Sequence, residues 1–208
     1  MDERICYFFS FLIEGLVFWN YVSILFVPKY STKIRFVCLS SGFFILFLSS
    51  LHNVFLLNCI LYTTVCFLYL IFLYKTSWYY ALFHSLLFEV LTGACELPVY
   101  SFLSTFLTSA SLRAADFHLK LLFAVMSKTL FFAVMSVLLL WLKKRQKPFL
   151  QYDKSVFFTI LIPFIAQIIV LILIAVCDST AMTAAQNRLI TTSAFFLLIV
   201  NLLIFGLN

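Results

Sequence analysis

Charge is what this sequence has least of. Only 11% of its 208 residues are Asp, Glu, Lys or Arg, whereas 64% are hydrophobic, and the mean hydropathy is +1.11. A soluble domain carries about 25% charged and about 45–50% apolar residues. Disordered chains combine low hydrophobicity with high charge, which is the opposite of this composition. The composition therefore excludes a water-soluble globule and a disordered chain, and it indicates a membrane protein.

Glycine and proline are also scarce, with 4 of each. No two glycines are spaced as Gly-xxx-Gly, so close backbone contacts between helices have little support. The apolar runs are continuous rather than alternating, which excludes transmembrane β-strands. The cysteines form no CxxC pair and no zinc-type cluster with histidine, so we interpret them as small apolar side chains and expect neither metal nor cofactor. They are Cys6, Cys38, Cys59, Cys66, Cys95 and Cys177.

The apolar runs predict an all-α bundle of about seven transmembrane helices, forming a single domain over residues 1–208. Each run is judged against the about 20 residues that a helix needs to cross a bilayer. The predicted spans are about 5–26, 36–51, 54–74, 78–107, 121–142, 155–177 and 189–207. His52 and Asn53 are the only polar residues between the second and third runs, so we expect a tight hairpin there. The count falls to six if the short second span is re-entrant.

Lysine and arginine are distributed unevenly between alternate loops. One set of loops holds nine of them, namely Lys29, Lys33, Arg35, Lys75, Lys143, Lys144, Arg145, Lys147 and Lys154. The other set holds four, namely Arg4, Arg113, Lys120 and Arg188. Because basic loops stay in the cytoplasm, we expect the N-terminus outside and the C-terminus inside a bacterial cell membrane.

Four ionisable residues interrupt the apolar runs: Glu14, Glu89, Glu96 and Lys128. Ionisable side chains within a bilayer are costly and usually face the bundle interior. Glu89 and Glu96 are seven residues apart, so they share one helix face about 10 Å apart. The depth of Lys128 in the fifth span falls between those of the two acids. We therefore predict a Glu–Lys pair between the fourth and fifth spans.

Three interpretations of this charged group stay open. In the first, ligand binding rearranges it. In the second, it is a static pair that fixes the helix register. In the third, a protonated Glu donates a hydrogen bond to a carbonyl group. Pro98 has no N–H for the carbonyl of Ala94, so we also expect a kink over residues 94–98.

The three histidines do not converge on a catalytic or metal site. We place His52 at an outer turn, His84 near the inner end of the fourth span, and His118 in the outer loop that follows it. We interpret them as interfacial or loop side chains, with pH sensing as the alternative. His52 and Cys59 have a spacing similar to that in a membrane cysteine peptidase that processes quorum-sensing peptides, but the glycine-containing context before the histidine is absent. We expect neither catalysis nor nucleic-acid binding.

Several segments together carry a family resemblance. They are FFSFLIE at 8–14, YKTSW at 74–78, ALFH at 81–84, CELPVY at 95–100 and LIVNLLIF at 198–205. This layout resembles the membrane sensor region of Agr-type quorum-sensing histidine kinases, which carry a GHKL ATPase domain after the last span. The resemblance covers essentially the whole chain.

The resemblance implies an integral membrane sensor module of a two-component signalling system. In that family an extracellular ligand, often a peptide, is read by the spans and outer loops, and the last span relays the signal. It also implies a homodimer. The ligand-facing residues would be His52, Asn53, Arg113, Asp116, His118, Asp178 and Arg188, and the coupling residues Glu14, Glu89, Glu96 and Lys128.

These 208 residues contain no phosphoacceptor helix and no ATP-binding boxes, so we expect a sensor part without kinase activity of its own. The alternative is a transport protein, such as a small substrate-binding membrane subunit that works with a separate motor. The buried carboxylates would then be substrate or proton sites. In both cases the lipid bilayer is the expected environment.

Overall fold

The computed structural model describes residues 2–52, 54–106, 117–144 and Thr192, and this part of the chain is all-α. It contains five helices: α1 (Asp2–Leu25), α2 (Thr32–Ser50), α3 (Phe55–Leu73), α4 (Trp78–Phe106) and α5 (Phe117–Lys144). Within the described residues, three stretches are long and apolar enough to cross a membrane: Arg4–Leu25, Thr32–Ser50 and Phe117–Leu140. The helical class is thus confirmed, whereas the predicted spans at 155–177 and 189–207 lie outside the described residues.

Two helices begin four residues earlier than the sequence predicted. α2 begins at Thr32, so Lys33 and Arg35 belong to a helix and not to a loop. α5 begins at Phe117, which corrects the prediction that His118 lies in a loop. Hydropathy places a boundary at the first polar residue, but long basic side chains extend from a helix end while their stems cover apolar surface. The backbone therefore continues as a helix past the point where the apolar run stops.

The described helices divide between two compact units. The first contains α1, α2, α3, α5 and the part of α4 that ends at Glu89. The second contains the rest of α4 from Val90, and α4 continues as a helix through Pro98. The kink near Pro98 and the single-domain organisation stay predictions.

Helices α2 and α3 form a tight antiparallel hairpin, as the sequence predicted. The chain reverses at Leu51 and His52, and the Ser49 hydroxyl donates to the Asn58 side-chain oxygen at 2.9 Å. At Gly42 the two helices are so close that an added Cβ would lie 2.8 Å from a Val65 methyl carbon. Gly42 therefore allows α2 and α3 to approach more closely than a residue with a side chain at position 42 would permit.

The α1–α2 and α3–α4 connectors lie side by side at one end of the first unit. The backbone N–H of Lys29 donates to the carbonyl of Leu73, and that of Lys75 donates to the carbonyl of Val27, both at 2.9 Å. The Lys29 ammonium also donates to the Ile71 carbonyl at 2.8 Å. Two of the loops predicted to face the cytoplasm are therefore at the same end.

Phe18 is at the centre of the first unit, where its ring is fully buried. Its ring centroid lies 6.1 Å from that of Phe43 on α2, 5.6 Å from Tyr69 on α3 and 4.9 Å from Phe88 on α4. Phe88 in turn meets Phe131 of α5 at 5.2 Å, edge to face. Tilted and edge-to-face aromatic pairs are favourable beyond the area they bury. Large rings, more than close backbone contacts, hold these helices together.

Replacing Gly42 by alanine is expected to destabilise the hairpin, because the new methyl group would collide with Val65. We expect a cost of about 1–3 kcal/mol, measured as a lower unfolding midpoint of the purified protein in detergent. Adding Val65→Ala removes the colliding methyl group and should restore most of the loss. Gly15→Ala, whose Cβ would lie 3.3 Å from the Phe43 ring, is the milder comparison. Strictly additive effects of the Gly42 and Val65 changes would contradict this close contact.

Candidate functional site

A buried ion pair joins α1 to α5. Glu14 and Lys128 are each only 4% exposed, and the Lys128 ammonium contacts the Glu14 carboxylate. Both residues lie near the middle of their helices, about 16–18 Å from the helix starts at about 1.5 Å per residue. Charges removed from water are tolerated only when they are paired or hydrogen-bonded. The pair therefore gives each of these two buried charges a partner of opposite sign.

The partner of Lys128 differs from the acid that the depth argument selected. The sequence placed Lys128 between Glu89 and Glu96 of α4, whereas the structure shows it against Glu14 of α1. Glu14 contacts Lys128, and the later residues 16–20 of α1 share a groove with the later residues 132–139 of α5, so these two helices run parallel. Depth follows from position along a helix, but the neighbouring helix follows from packing, which the depth argument does not contain.

Glu89 lies against α3. The Thr63 hydroxyl donates to its carboxylate, and the Cys59 thiol also forms a hydrogen bond with it. Cys59 and Thr63 are four residues apart and therefore lie on one face of α3. No Lys or Arg of the described part pairs with Glu89, which is half-buried. The fully buried Cys66 is within electrostatic range of both Glu89 and Glu14. The two carboxylates thus belong to one polar layer inside the first unit.

The other predicted site residues are separated along the helices. Glu96 is half-buried in the part of α4 that belongs to the second unit. His52, in the α2–α3 turn, and His118, in the first turn of α5, are exposed at the same end of the first unit, opposite Lys29 and Lys75. Asn53, Arg113, Asp116, Asp178 and Arg188 lie outside the described residues. The proposed role of the outer residues therefore rests on the sequence.

His84 is buried, which corrects its interpretation as an interfacial side chain. It is 1% exposed, and its Nδ1 atom is within hydrogen-bond distance of the Tyr21 hydroxyl. The His84 ring also packs edge to face against Phe26, with 5.0 Å between the ring centroids. A buried imidazole is tolerated when a partner satisfies its nitrogen. The Tyr21 hydroxyl on α1 is that partner, and the sequence contains no signal that brings the two residues together.

Arg35 is the polar residue whose role the sequence analysis missed, since it was counted only as a topology signal. It is 8% exposed. Its guanidinium donates to the Tyr74 hydroxyl at 2.9 Å and to the Thr32 hydroxyl at 3.2 Å. It also lies over the rings of Trp19 at 5.1 Å and Tyr74 at 5.4 Å. Arginine stacks on aromatic faces because its charge attracts their π electrons. The available signal in the sequence was the presence of Trp19 and Tyr74 near the basic segment.

A groove with a volume of about 270 Å³ lies between α1 and α5, beside the ion pair. Asn20 and Ser136 are its polar side chains, and the Ser136 hydroxyl donates to the Phe132 carbonyl at 2.7 Å. The groove is lined by Ile13, Leu16, Val17, Asn20, Phe132, Met135, Ser136 and Leu139. Its mainly apolar walls suit an apolar chain better than a soluble polar ligand.

No protein-family model, no curated protein and no solved structure matches this chain. Fold and site therefore define its class by themselves. It is an all-α protein over the described residues, with helices long and apolar enough to cross a membrane and a buried ion pair between α1 and α5.

Replacing Lys128 by methionine is expected to destabilise the protein strongly, because Glu14 loses the cation that pairs with it. Breaking a buried pair on one side costs about 3–5 kcal/mol, whereas replacing both charges by apolar groups of similar volume is often neutral. The double variant Glu14→Met with Lys128→Met should therefore unfold at a higher temperature than Lys128→Met alone. Lys33→Met, on an exposed lysine of α2, controls for the loss of charge. A double variant that is less stable than Lys128→Met would refute the pairing.

Proposed function

We propose that this chain is the membrane sensor module of a two-component signalling system. It senses an extracellular ligand, for which we propose a peptide, and relays the signal through its last span. It crosses a bacterial cell membrane several times, with its N-terminus outside and its C-terminus inside. The observation that carries the proposal is the buried Glu14–Lys128 pair, which links two parallel helices inside an apolar bundle. The resemblance of the sequence to Agr-type sensor regions supports the same function.

The outward-facing surfaces of the helices support a membrane environment. Phe72, Val137 and Leu140 are 65–70% exposed, and each lies on a different face from the polar layer. Large contiguous apolar surfaces are rarely left in water by soluble proteins. In a bilayer the same side chains contact lipid at no such cost. These side chains support the proposal that the protein lies in a lipid bilayer.

The ion pair is suited to relay a movement between helices. In an apolar core only a few arrangements of the two helices keep the charges in contact. Other arrangements are costly because they leave each charge unpaired. A displacement of α5 therefore moves α1 with it or breaks the pair, and packed helices of this kind change between discrete states. His118 lies in the first turn of α5, so a ligand at this outer end acts directly on the helix that carries Lys128.

A difference between the two ends of the first unit supports the sensor proposal. His52 and His118 are exposed at the proposed outer end, and Lys29 and Lys75 are exposed at the proposed inner end. Asn53, Arg113, Asp116, Asp178 and Arg188 complete the proposed ligand-reading surface. A homodimer is part of the proposal, since sensor kinases of the resembled family work as dimers.

The proposed orientation can be tested by inserting a short epitope at two turns. An epitope after His52 should be bound by antibody on intact cells, because that turn faces outside. An epitope after Lys75 should be bound only after the cells are permeabilised, because basic loops stay in the cytoplasm. The two insertions control for each other, since both interrupt short connectors. The reverse pattern would overturn the orientation, and equal labelling of both turns would overturn the hairpin.

Ligand sensing can be tested on the 208-residue chain in lipid nanodiscs. We expect the peptide fraction of medium conditioned by the cells of origin to raise its unfolding midpoint, because a ligand that binds only the folded state stabilises it. The same fraction from fresh medium is the control. His118→Ala should reduce the rise without changing the midpoint in fresh medium, since this side chain is exposed. No rise with any fraction would remove the support for a peptide sensor.

A transport function is the second candidate, and Glu89 favours it. A half-buried carboxylate that is hydrogen-bonded by Thr63 and paired with no described cation is the type of group that carries protons in membrane transporters. Proteoliposomes with an enclosed pH-sensitive dye distinguish the two functions. Proton uptake by the wild-type chain that is lost in the isosteric variant Glu89→Gln would establish transport. Equal, background-level uptake by both would leave the sensor proposal in place.

A further inference from the structure

One end of the first unit concentrates positive charge. The α1–α2 connector, the first turn of α2 and the α3–α4 connector meet there. Residues 26–35 and 74–77 contain Lys29, Lys33, Arg35 and Lys75 but no Asp or Glu. The local potential is therefore positive, and no acid in these segments offsets it.

The N-terminus of α2 adds to this potential. Ser31 occupies its N-cap position but makes no side-chain capping hydrogen bond, and the first turn contains no acidic residue. The first N–H groups of a helix have no partner within the helix, and they carry a partial positive charge. The residues around this turn, Ser31 to Ile34, are all exposed, so an anion has open access to it.

Arg35 gives a second and independent indication of an anion. Its side chain is more than nine-tenths buried, its Nε atom is buried without a hydrogen-bond partner, and no carboxylate of the described part pairs with it. Arginine stays charged in proteins. The rings of Trp19 and Tyr74 offset only part of the cost of burying that charge. Among the described residues, Arg35 thus has aromatic rings and hydroxyl groups around its guanidinium but no negatively charged partner.

We propose that this end of the bundle binds a phosphate group, with Arg35 as the central cation and the N-terminal N–H groups of α2 as further donors. The planar guanidinium matches the oxygens of phosphate, and helix N-termini are common phosphate sites. The Tyr74 and Thr32 hydroxyls accept two of its hydrogen bonds and thereby hold the guanidinium in place. The phosphate belongs either to an anionic phospholipid of the inner leaflet or to a soluble phosphate ester. This site is independent of the proposed sensor function.

The test compares the unfolding midpoint of the chain in nanodiscs of phosphatidylcholine with and without phosphatidylglycerol. We expect phosphatidylglycerol to raise the midpoint of the wild-type protein, and the rise to disappear in Arg35→Gln. Lys33→Gln is the matched control: it removes the same charge from the same turn, but two residues rotate a helix by about 200°, so Lys33 lies on another face. It should keep most of the rise.

A third arm identifies the source of the phosphate. Glycerol 3-phosphate added to phosphatidylcholine nanodiscs should leave the midpoint unchanged if the ligand is a lipid headgroup, and should raise it if the ligand is soluble. A rise in neither arm overturns the site. Equal losses in Arg35→Gln and Lys33→Gln also overturn it, because they indicate only a diffuse attraction to the surface.

A second variant covers the case in which Arg35→Gln does not fold. Arg35→Lys keeps the charge but loses the planar group that binds two phosphate oxygens at once. We expect it to need an about tenfold or greater fraction of phosphatidylglycerol for half of the maximal rise, which corresponds to the loss of one charge-assisted hydrogen bond. A dependence on phosphatidylglycerol equal to that of the wild-type protein would show that charge alone suffices and would overturn the proposed site.

Discussion

The polar contacts of the first unit depend on one physical constraint, the absence of water around buried charges. The ion pair between Glu14 and Lys128 illustrates it. Inside an apolar bundle there is no water to solvate a charge, so each ionisable side chain must find its partner within the protein. The Glu14–Lys128 pair joins α1 to α5 in this way. The same requirement accounts for two further contacts between helices, Thr63 with Glu89 and Tyr21 with His84, and for the contact of Arg35 with Tyr74 at the end of α3.

Aromatic packing supplies what these polar contacts do not. With 27 Phe residues and only 4 Gly, the helices keep their distance and fill the space between them with rings. Phe18 contacts a ring on each of α2, α3 and α4. Gly42 is the exception, since α2 and α3 approach there more closely than a side chain permits. The bundle therefore combines ring packing at its centre with one close contact in its hairpin.

The polar residues of the first unit form three levels along the helices, and each suits a different task. The exposed His52 and His118 at one end can meet a ligand, the Glu14–Lys128 pair in the middle can couple two helices, and Arg35 at the other end can hold an anion. The proposed sensor function would use the first two levels, whereas the proposed phosphate site would use the third.

Hydropathy by itself determined the helical class, the approximate limits of α1, α3 and α4, and the hairpin at His52, because these depend on the order of apolar and polar residues along the chain. It also selected Glu14, Glu89 and Lys128, because a charge inside an apolar run is visible without coordinates. Only the tertiary structure decided which acid meets Lys128, that His84 is buried against Tyr21, and that Arg35 is enclosed by aromatic rings. The physical reason is that hydropathy indicates the depth of a residue along its own helix. Which residues of different helices meet depends on the lateral packing of their side chains.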